Sequence, residues 1–297
     1  MKLRDLVEQS ARQLQAAQVA FGHGTDNALD EAAWLVLWQL GLPLDTPLDD
    51  PKTATALTQA QQSACGALIA KRISSRKPAA YLTGQAWLQG FAFYVDERVI
   101  VPRSLIAELL VDGGIDYFLH EGTRRVLDLC TGNGSLAIIA AHMYPDTVVC
   151  ASDLSQDALD VAALNVADHG LQARITLLQS DGFEAPTLQS QGPYDLLLCN
   201  PPYVNAQSMT ALPPEFQAEP ALALDGNADG GSDGMDFVRR LLRDAPQHLH
   251  PQGVLVLEIG HERAFFEAAF PALPAVWLPT SAGEDQVLLL TREALVS

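Results

Sequence analysis

Along roughly the first eighty residues, apolar positions recur every three or four places. In "LRDLVEQSARQLQAAQVA" (3–20), Leu3, Leu6, Val7, Leu14 and Val19 share one helical face. "TDNALDEAAWLVLWQLG" (25–41) predicts a second helix, with Thr25, Asp26 and Asn27 as capping residues and Gly41 to close it. "LTQAQQSACGALIAKRISSRKP" (57–78) predicts a third, stopped by Pro78, and the Pro/Asp-rich "LPLDTPLDDPKT" (42–53) reads as loop. "AWLQGFAFYVDERVIVPR" (86–103) then alternates β-formers around Gly90 and the Asp96-Glu97 pair, the pattern of a hairpin. From about residue 124 the rhythm changes to short continuous apolar runs: "RRVLDLC", "TVVCASD", "RITLLQS", "YDLLLCN", "VLVLEIG" and "QVLLLTR". Helical stretches such as "SQDALDVAALNVADHG" and "GMDFVRRLLRDAPQHL" separate several of them. Apolar strands between helices predict a parallel sheet covered on both faces. The expected organisation is a helical domain over 1–85, a β-hairpin linker over 86–103 and an α/β domain over 104–297.

Composition agrees with this picture. The chain has 297 residues, 48% apolar and 18% charged, enough to bury two cores. No apolar run approaches the ~18 residues of a membrane span, and the early acidic residues of "MKLRDLVEQS" do not suit a signal or transit peptide. Cys65, Cys130, Cys150 and Cys199 are scattered, three of them in strand-like runs. They read as buried thiols rather than disulfides or zinc ligands, as expected in a reducing cytoplasm.

Charge changes the picture more. The net charge is −18. Residues 1–95 hold eight Lys/Arg and eight Asp/Glu, so the whole excess falls in 96–297. Residues 204–236 carry Glu215, Glu219, Asp225, Asp229, Asp233 and Asp236 with no Lys or Arg. Such a surface repels nucleic acid and attracts a basic partner, and it equally serves solubility.

The candidate chemistry sits at strand ends. "DLCTGNGSLA" places Gly132 and Gly134 between a strand and a helix, where the backbone can approach a ligand closely. The spacing matches a dinucleotide fingerprint, but Asp128 just before it would oppose a pyrophosphate and suits an amino-bearing ligand. Asp153 ends the second strand, where an acid can accept both hydroxyls of a ribose. Asp181, after the third strand, is placed to meet an adenine amino group. Each aspartate alone could be a helix cap or turn residue; together they line the carboxyl edge of the expected sheet.

The fourth strand ends in "CNPPYV" (199–204). A nitrogen of an amide or aromatic amine is a poor nucleophile because its lone pair is delocalised. Two acceptors that bind both its hydrogens favour pyramidalisation and aim the lone pair. The Asn200 side-chain oxygen and the Pro201 carbonyl are such acceptors, and the proline ring fixes the direction of that carbonyl. Pro202 stiffens the corner, and Tyr203 can pack on a planar substrate group. The motif offers no dedicated general base.

Residues 120–295 resemble the Rossmann-like class I methyltransferases, which use S-adenosylmethionine. The resemblance implies a mostly parallel sheet with its last strand antiparallel. It implies that Asp128, Cys130, Thr131, Gly132, Asn133 and Gly134 line the methionine part of the donor, with Asp153 at the ribose and Asp181 near the adenine. Leu154, Gly182 and Asn200 complete the implied cofactor set, with no metal. A family member with "SDWF" sets an indole beside the adenine; this chain has "SDGF", so Gly182 cannot, which leaves Phe183 as the neighbouring ring.

The whole chain resembles the bacterial protein-glutamine methyltransferases, through "VPRS" (101–104), "NPPYV" and "EPALALDGNADGGSDG". "GHGTDNALDEA" (22–32) and "FYVDERVIVPRS" (93–104) resemble the branch acting on large-subunit ribosomal protein L3 rather than the release-factor branch. The resemblance implies methylation of a glutamine amide in that basic protein, with the helical domain recognising substrate and no direct nucleic-acid or membrane binding. Adenine amino-methyltransferases carry a similar motif, but they should offer a basic track to phosphates. A glutamine methyltransferase acting on peptide chain release factors, a non-catalytic factor that binds a basic protein, and an NAD-dependent oxidoreductase remain as alternatives. Arg103 is expected either to hold a substrate carbonyl or donor carboxylate, or to pair with a surface acid. His23 reads as structural or recognition, and His261 as a loop residue.

Overall fold

The apolar runs after residue 124 become strands because each can be buried on both sides at once. In the computed structural model, which describes residues 1–49 and 56–296, every residue of Tyr194–Cys199 is buried. The strands are β1 (Gln85–Leu88), β2 (Phe91–Tyr94), β3 (Arg125–Leu129), β4 (Val148–Asp153), β5 (Ile175–Gln179), β6 (Tyr194–Cys199), β7 (Leu249–Glu258), β8 (Val276–Thr280) and β9 (Gly283–Thr291). The last seven form one sheet in the order β5-β4-β3-β6-β7-β9-β8. Strands β5 to β7 are parallel in that order, and β9, last in sequence, runs antiparallel to both β7 and β8. β8 is absent from the sequence expectation. Its Pro279 breaks the β signal, and of its five residues only Leu278 is buried.

The chain divides into two units. Unit 1 is Met1–Ala86 together with Leu212–Ala218; unit 2 is Trp87–Ala211 together with Glu219–Ser297. Unit 1 holds α1 (Leu3–Ala16), α2 (Ala28–Leu40), α3 (Gln59–Ser75) and α4 (Ala79–Thr83). The side chain of Asn27 accepts the N–H groups of Leu29 and Asp30, each at 3.0 Å, and Gly41 ends α2 at φ 67. The third helix stops earlier than Pro78, at Arg76 in the left-handed conformation, and Pro78 instead opens α4. Of the loop expected at 42–53, residues 42–49 carry no helix or strand and the rest lie outside the described residues.

Unit 2 carries α5 (Ile106–Val111), α6 (Ser135–Met143), α7 (Gln156–Asp168), α8 (Pro186–Gln191) and α9 (Ala206–Ala211). The four-residue α10 (Pro214–Gln217) falls within the segment assigned to unit 1. After it come α11 (Asp236–His248), α12 (Arg263–Ala269) and α13 (Arg292–Val296) in unit 2. Alternate strand residues serve two cores. Val126, Leu196 and Leu198 pack with Ile138 and Ile139 of α6, while Leu127, Leu197 and Cys199 pack with Val238 and Leu241 of α11. The four cysteines are free thiols, and three of them are buried. Among the described residues, no helix is long and apolar enough to cross a membrane.

Candidate active site

Parallel strands bring β3, β4, β5 and β6 to one carboxyl edge, and a cavity opens there. It encloses about 1240 Å³, counting space open to solvent, and all its lining residues belong to unit 2. Cys130, Thr131, Gly132, Asn133, Asp153, Leu154, Asp181, Gly182, Asn200, Pro202 and Arg103 line it together. Residues from four strand ends, read separately in the sequence, thus share one concavity.

The loop after β3 is held tightly. Cys130 has φ 59, a left-handed conformation that costs a non-glycine residue about 1–2 kcal/mol. Asp128 is fully buried; its Oδ2 accepts the Thr131 hydroxyl and the Ala137 N–H at 3.1 Å. Burial pushes its carboxyl up to about 7. Asp128 is therefore not part of the described lining. It supports the loop from beneath, while its Oδ1 has no hydrogen-bond partner. Gly134 likewise stands behind the lining, as the N-cap of α6.

Asp153 Oδ2 accepts the Gly132 N–H at 2.9 Å and its Oδ1 the Ser155 N–H at 2.9 Å, while burial raises its pKa. Asp181 faces Arg240, with Nη1 at 3.2 Å from Oδ1 and 3.3 Å from Oδ2. Phe183 does not join the described cavity wall: it is buried and stacked on His248, centroids 4.3 Å apart.

The corner at 200–204 is braced by the loop that follows it. Val204 bridges Asp225 in parallel fashion, and Asn227 Nδ2 donates to the Val204 carbonyl at 3.0 Å. At Gly234 (φ 78) a Cβ would fall 2.1 Å from the Tyr203 carbonyl oxygen, so only glycine fits. Asn205 Nδ2 donates to the buried Glu262 at 2.7 Å. Asn200 and Pro202 face the cavity, whereas Pro201 and Tyr203 lie outside its described lining. Burial, reinforced by the charge of Glu258, raises the Tyr203 phenol well above its usual range, so it stays neutral near pH 7.

Arg103 meets an acid, but a buried one. Its two terminal nitrogens reach Glu219 Oε1 and Oε2 at 2.7 and 2.8 Å, and Glu219 also accepts the Val101 N–H. The acidic run after the corner is largely spent on such pairing. Glu215 bonds Arg72 and Arg76 within unit 1, Glu219 bonds Arg103, and Asp233 and Asp236 bond Arg239. It is therefore less of an open acidic face than its sequence suggests. His23 is buried in unit 1 against Phe216, centroids 4.2 Å apart, and His261 is exposed after β7. At the opposite end of β6, His120 Nε2 meets Asp195 at 3.0 Å, with His250 nearby. Nδ1 of both histidines accepts a backbone N–H, from Gly122 and Gln252.

Sequence reading missed Ser152, Asp225, Phe237 and Arg240, which also line the cavity. Phe237 and Arg240 lie on α11, where helical periodicity signals only a buried face.

This strand order, with its glycine loop, carboxylates and Asn-Pro-Pro corner, defines a Rossmann-like class I methyltransferase. The family model described as "Methyltransferase small domain" matches residues 109–227. A ribosomal protein uL3 glutamine methyltransferase of Bordetella pertussis is 55% identical over 295 residues, covering 99% of this chain and 96% of that protein. One of Neisseria meningitidis serogroup B is 50% identical, covering 99% and 94%. Among solved structures, the hMettl16 catalytic domain in complex with a MAT2A 3′UTR hairpin matches with a TM-score of 0.52 at 15% identity, covering 82% of this chain and 85% of that one, a likeness of fold alone. The chain belongs to the ribosomal protein uL3 glutamine methyltransferase family.

Proposed function

We propose that the protein transfers a methyl group from S-adenosylmethionine to the side-chain amide nitrogen of a glutamine in ribosomal protein uL3. The observation that carries this is the shared cavity: Asn200 lines the same space as Asp153, Asp181 and the glycine loop. The residues fit the donor. Asn133 Nδ2 and Ser152 Oγ, on residues that line the cavity, are buried polar atoms without protein partners, which a ligand carboxylate and hydroxyls can satisfy. A Cβ at Gly132 would meet nothing within 4 Å, so the loop is open for close approach.

When bound, the donor supplies a methyl group already activated on a sulfonium; the chain supplies position and electrostatics. Asp153 keeps acceptor capacity for two vicinal hydroxyls after taking its two backbone bonds. The Asn200 oxygen and the Pro201 carbonyl bind the two hydrogens of the glutamine amide, weaken its conjugation and turn its lone pair toward the methyl. Tyr203, neutral and braced through its backbone by the 225–234 loop, packs against the planar amide. The proton of the product nitrogen leaves during or after transfer, with no metal involved. The helical unit 1 recognises the basic uL3 chain, in the cytoplasm and without nucleic-acid or membrane contact.

The test is mass spectrometry of uL3 incubated with donor and enzyme. One added methyl on one glutamine is expected, and Asn200→Ala should lower the rate about 10²–10³-fold while donor binding persists. Normal turnover in that variant would refute the role of Asn200. Label found only in RNA or in a release factor would refute the substrate.

A further inference from the structure

Where a flat base would lie against the end of β5, the chain offers no local side chain. A Cβ at Gly182 would meet nothing within 4 Å, and the adjacent Phe183 turns away to stack on His248 with an interplanar angle of 4°. The wall is made instead by two residues of α11 that sit about one turn apart. Phe237 and Arg240 both line the cavity. Arg240 is held on three sides. Its Nη1 lies 3.2 and 3.3 Å from the two oxygens of Asp181, its Nε lies 3.6 Å from Asp229 Oδ2, and its guanidinium carbon sits 5.5 Å from the Phe237 ring centroid. The guanidinium is planar, permanently charged and weakly hydrated, so it stacks on aromatic faces where a lysine ammonium does not. Paired with Asp181 and lying near Asp229 and the Phe237 ring, it reaches the cavity wall as part of this cluster.

We propose that Arg240, steadied by Asp229 and Phe237, is a positioning residue for the purine of the adenosyl donor. Its plane stands in for the side chain missing at position 182, and its pairing with Asp181 orients that carboxylate toward the exocyclic amine. The inference rests on the donor reading above. It makes the adenine end of the cavity a composite of β5 and α11, joining residues 59 positions apart.

Titration calorimetry of the full chain with S-adenosylhomocysteine, a non-reacting adenosyl thioether, tests it. Arg240→Ala should weaken binding about tenfold, and Arg240→Lys, which keeps the charge but not the plane, about fivefold. Turnover at saturating donor should stay within twofold of wild type, so the defect appears in KM and not in kcat. Preference for S-adenosylhomocysteine over S-inosylhomocysteine, which carries a carbonyl in place of the amine, should fall in Arg240→Ala. A residue serving only the fold would lower the unfolding midpoint and leave that preference intact. Affinities within twofold of wild type in both Arg240 variants would overturn the proposal. Asp153→Asn separates the two levels. If it also binds normally, the donor reading fails; if it weakens binding while the Arg240 variants do not, only the Arg240 inference fails.

Discussion

The two units both pair buried charge, but among the described residues only in unit 2 do unpaired polar atoms border a cavity. In unit 1, the wholly buried Arg72 is answered by Glu31 at 2.8 Å, by Glu215 at 3.2 Å and by the Ala20 carbonyl at 2.9 Å. Arg76 adds a second contact to Glu215 at 2.8 Å and donates to the Ala17 carbonyl. Burial raises carboxyls in both, Glu31 in unit 1 and Asp128, Asp153 and Glu258 in unit 2, and unit 2 likewise answers its buried Glu219 with Arg103; but in unit 2 polar atoms of Asn133 and Ser152, which line the cavity, lack protein partners. A buried polar group that the chain completes by itself serves the fold; one left without a partner on a cavity wall is available to a ligand.

Breaking the unit 1 network should have the largest effect. Arg72→Ala leaves the buried Glu31 without its cation and Glu215 with Arg76 alone, so it should cost about 3–5 kcal/mol by denaturant unfolding. Donor affinity of the molecules that remain folded should not change; a matching loss of donor affinity would blur the contrast between the units. A smaller effect should come from Glu258 at the end of β7, whose carboxyl accepts the Ser104 hydroxyl at 2.6 Å and the Leu105 N–H at 2.9 Å. Burial pushes it up to about 7 from 4.5, so the folded state binds its proton more tightly than the unfolded one. That contribution is fully present below about pH 4.5 and is lost as pH rises through about 7. Glu258→Gln, uncharged throughout, should flatten this fall by roughly 3 kcal/mol, read from melting curves across pH 4 to 8. An unchanged slope would mean that this acid titrates alike in both states. Smallest is Asn27→Ala, which removes the cap of α2 and should cost about 1 kcal/mol, again without touching donor affinity.

Much of this was legible because it is local. The caps at Asn27 and Gly41, the turn at Gly90 and the apolar runs of β3 to β7 follow from side chains acting on their own backbone. Asp153, Asp181 and Asn200 were legible for a related reason. A parallel sheet carries every strand's carboxyl end to one edge, so position in the strand fixes position in space. What escaped depends on partners distant in sequence. Glu219 answers Arg103 across 116 positions, and Glu215 answers Arg72 across 143. No periodicity announces such pairs, so the acidic stretch read as surface when much of it is internal. Asp128 shows the same limit from the other side. Its position just before the glycine loop was plain, but only the folded loop, through the Ala137 N–H and Thr131 hydroxyl, sets it behind the cavity wall. β8 escaped because a five-residue strand with a proline and one buried side chain leaves almost no alternation to detect.

One consequence concerns how this chain can be dissected. Seven residues, Leu212–Ala218, leave the methyltransferase sequence soon after its Asn-Pro-Pro corner, join the N-terminal unit, and hand the chain back at Glu219. A truncation after Ala86 would therefore strip Arg72 and Arg76 of the carboxylate that comes from that short passage. A chimera exchanging only the first 86 residues would splice one parent's arginines to the other's glutamate. Unit swaps within the family must move two segments as a set.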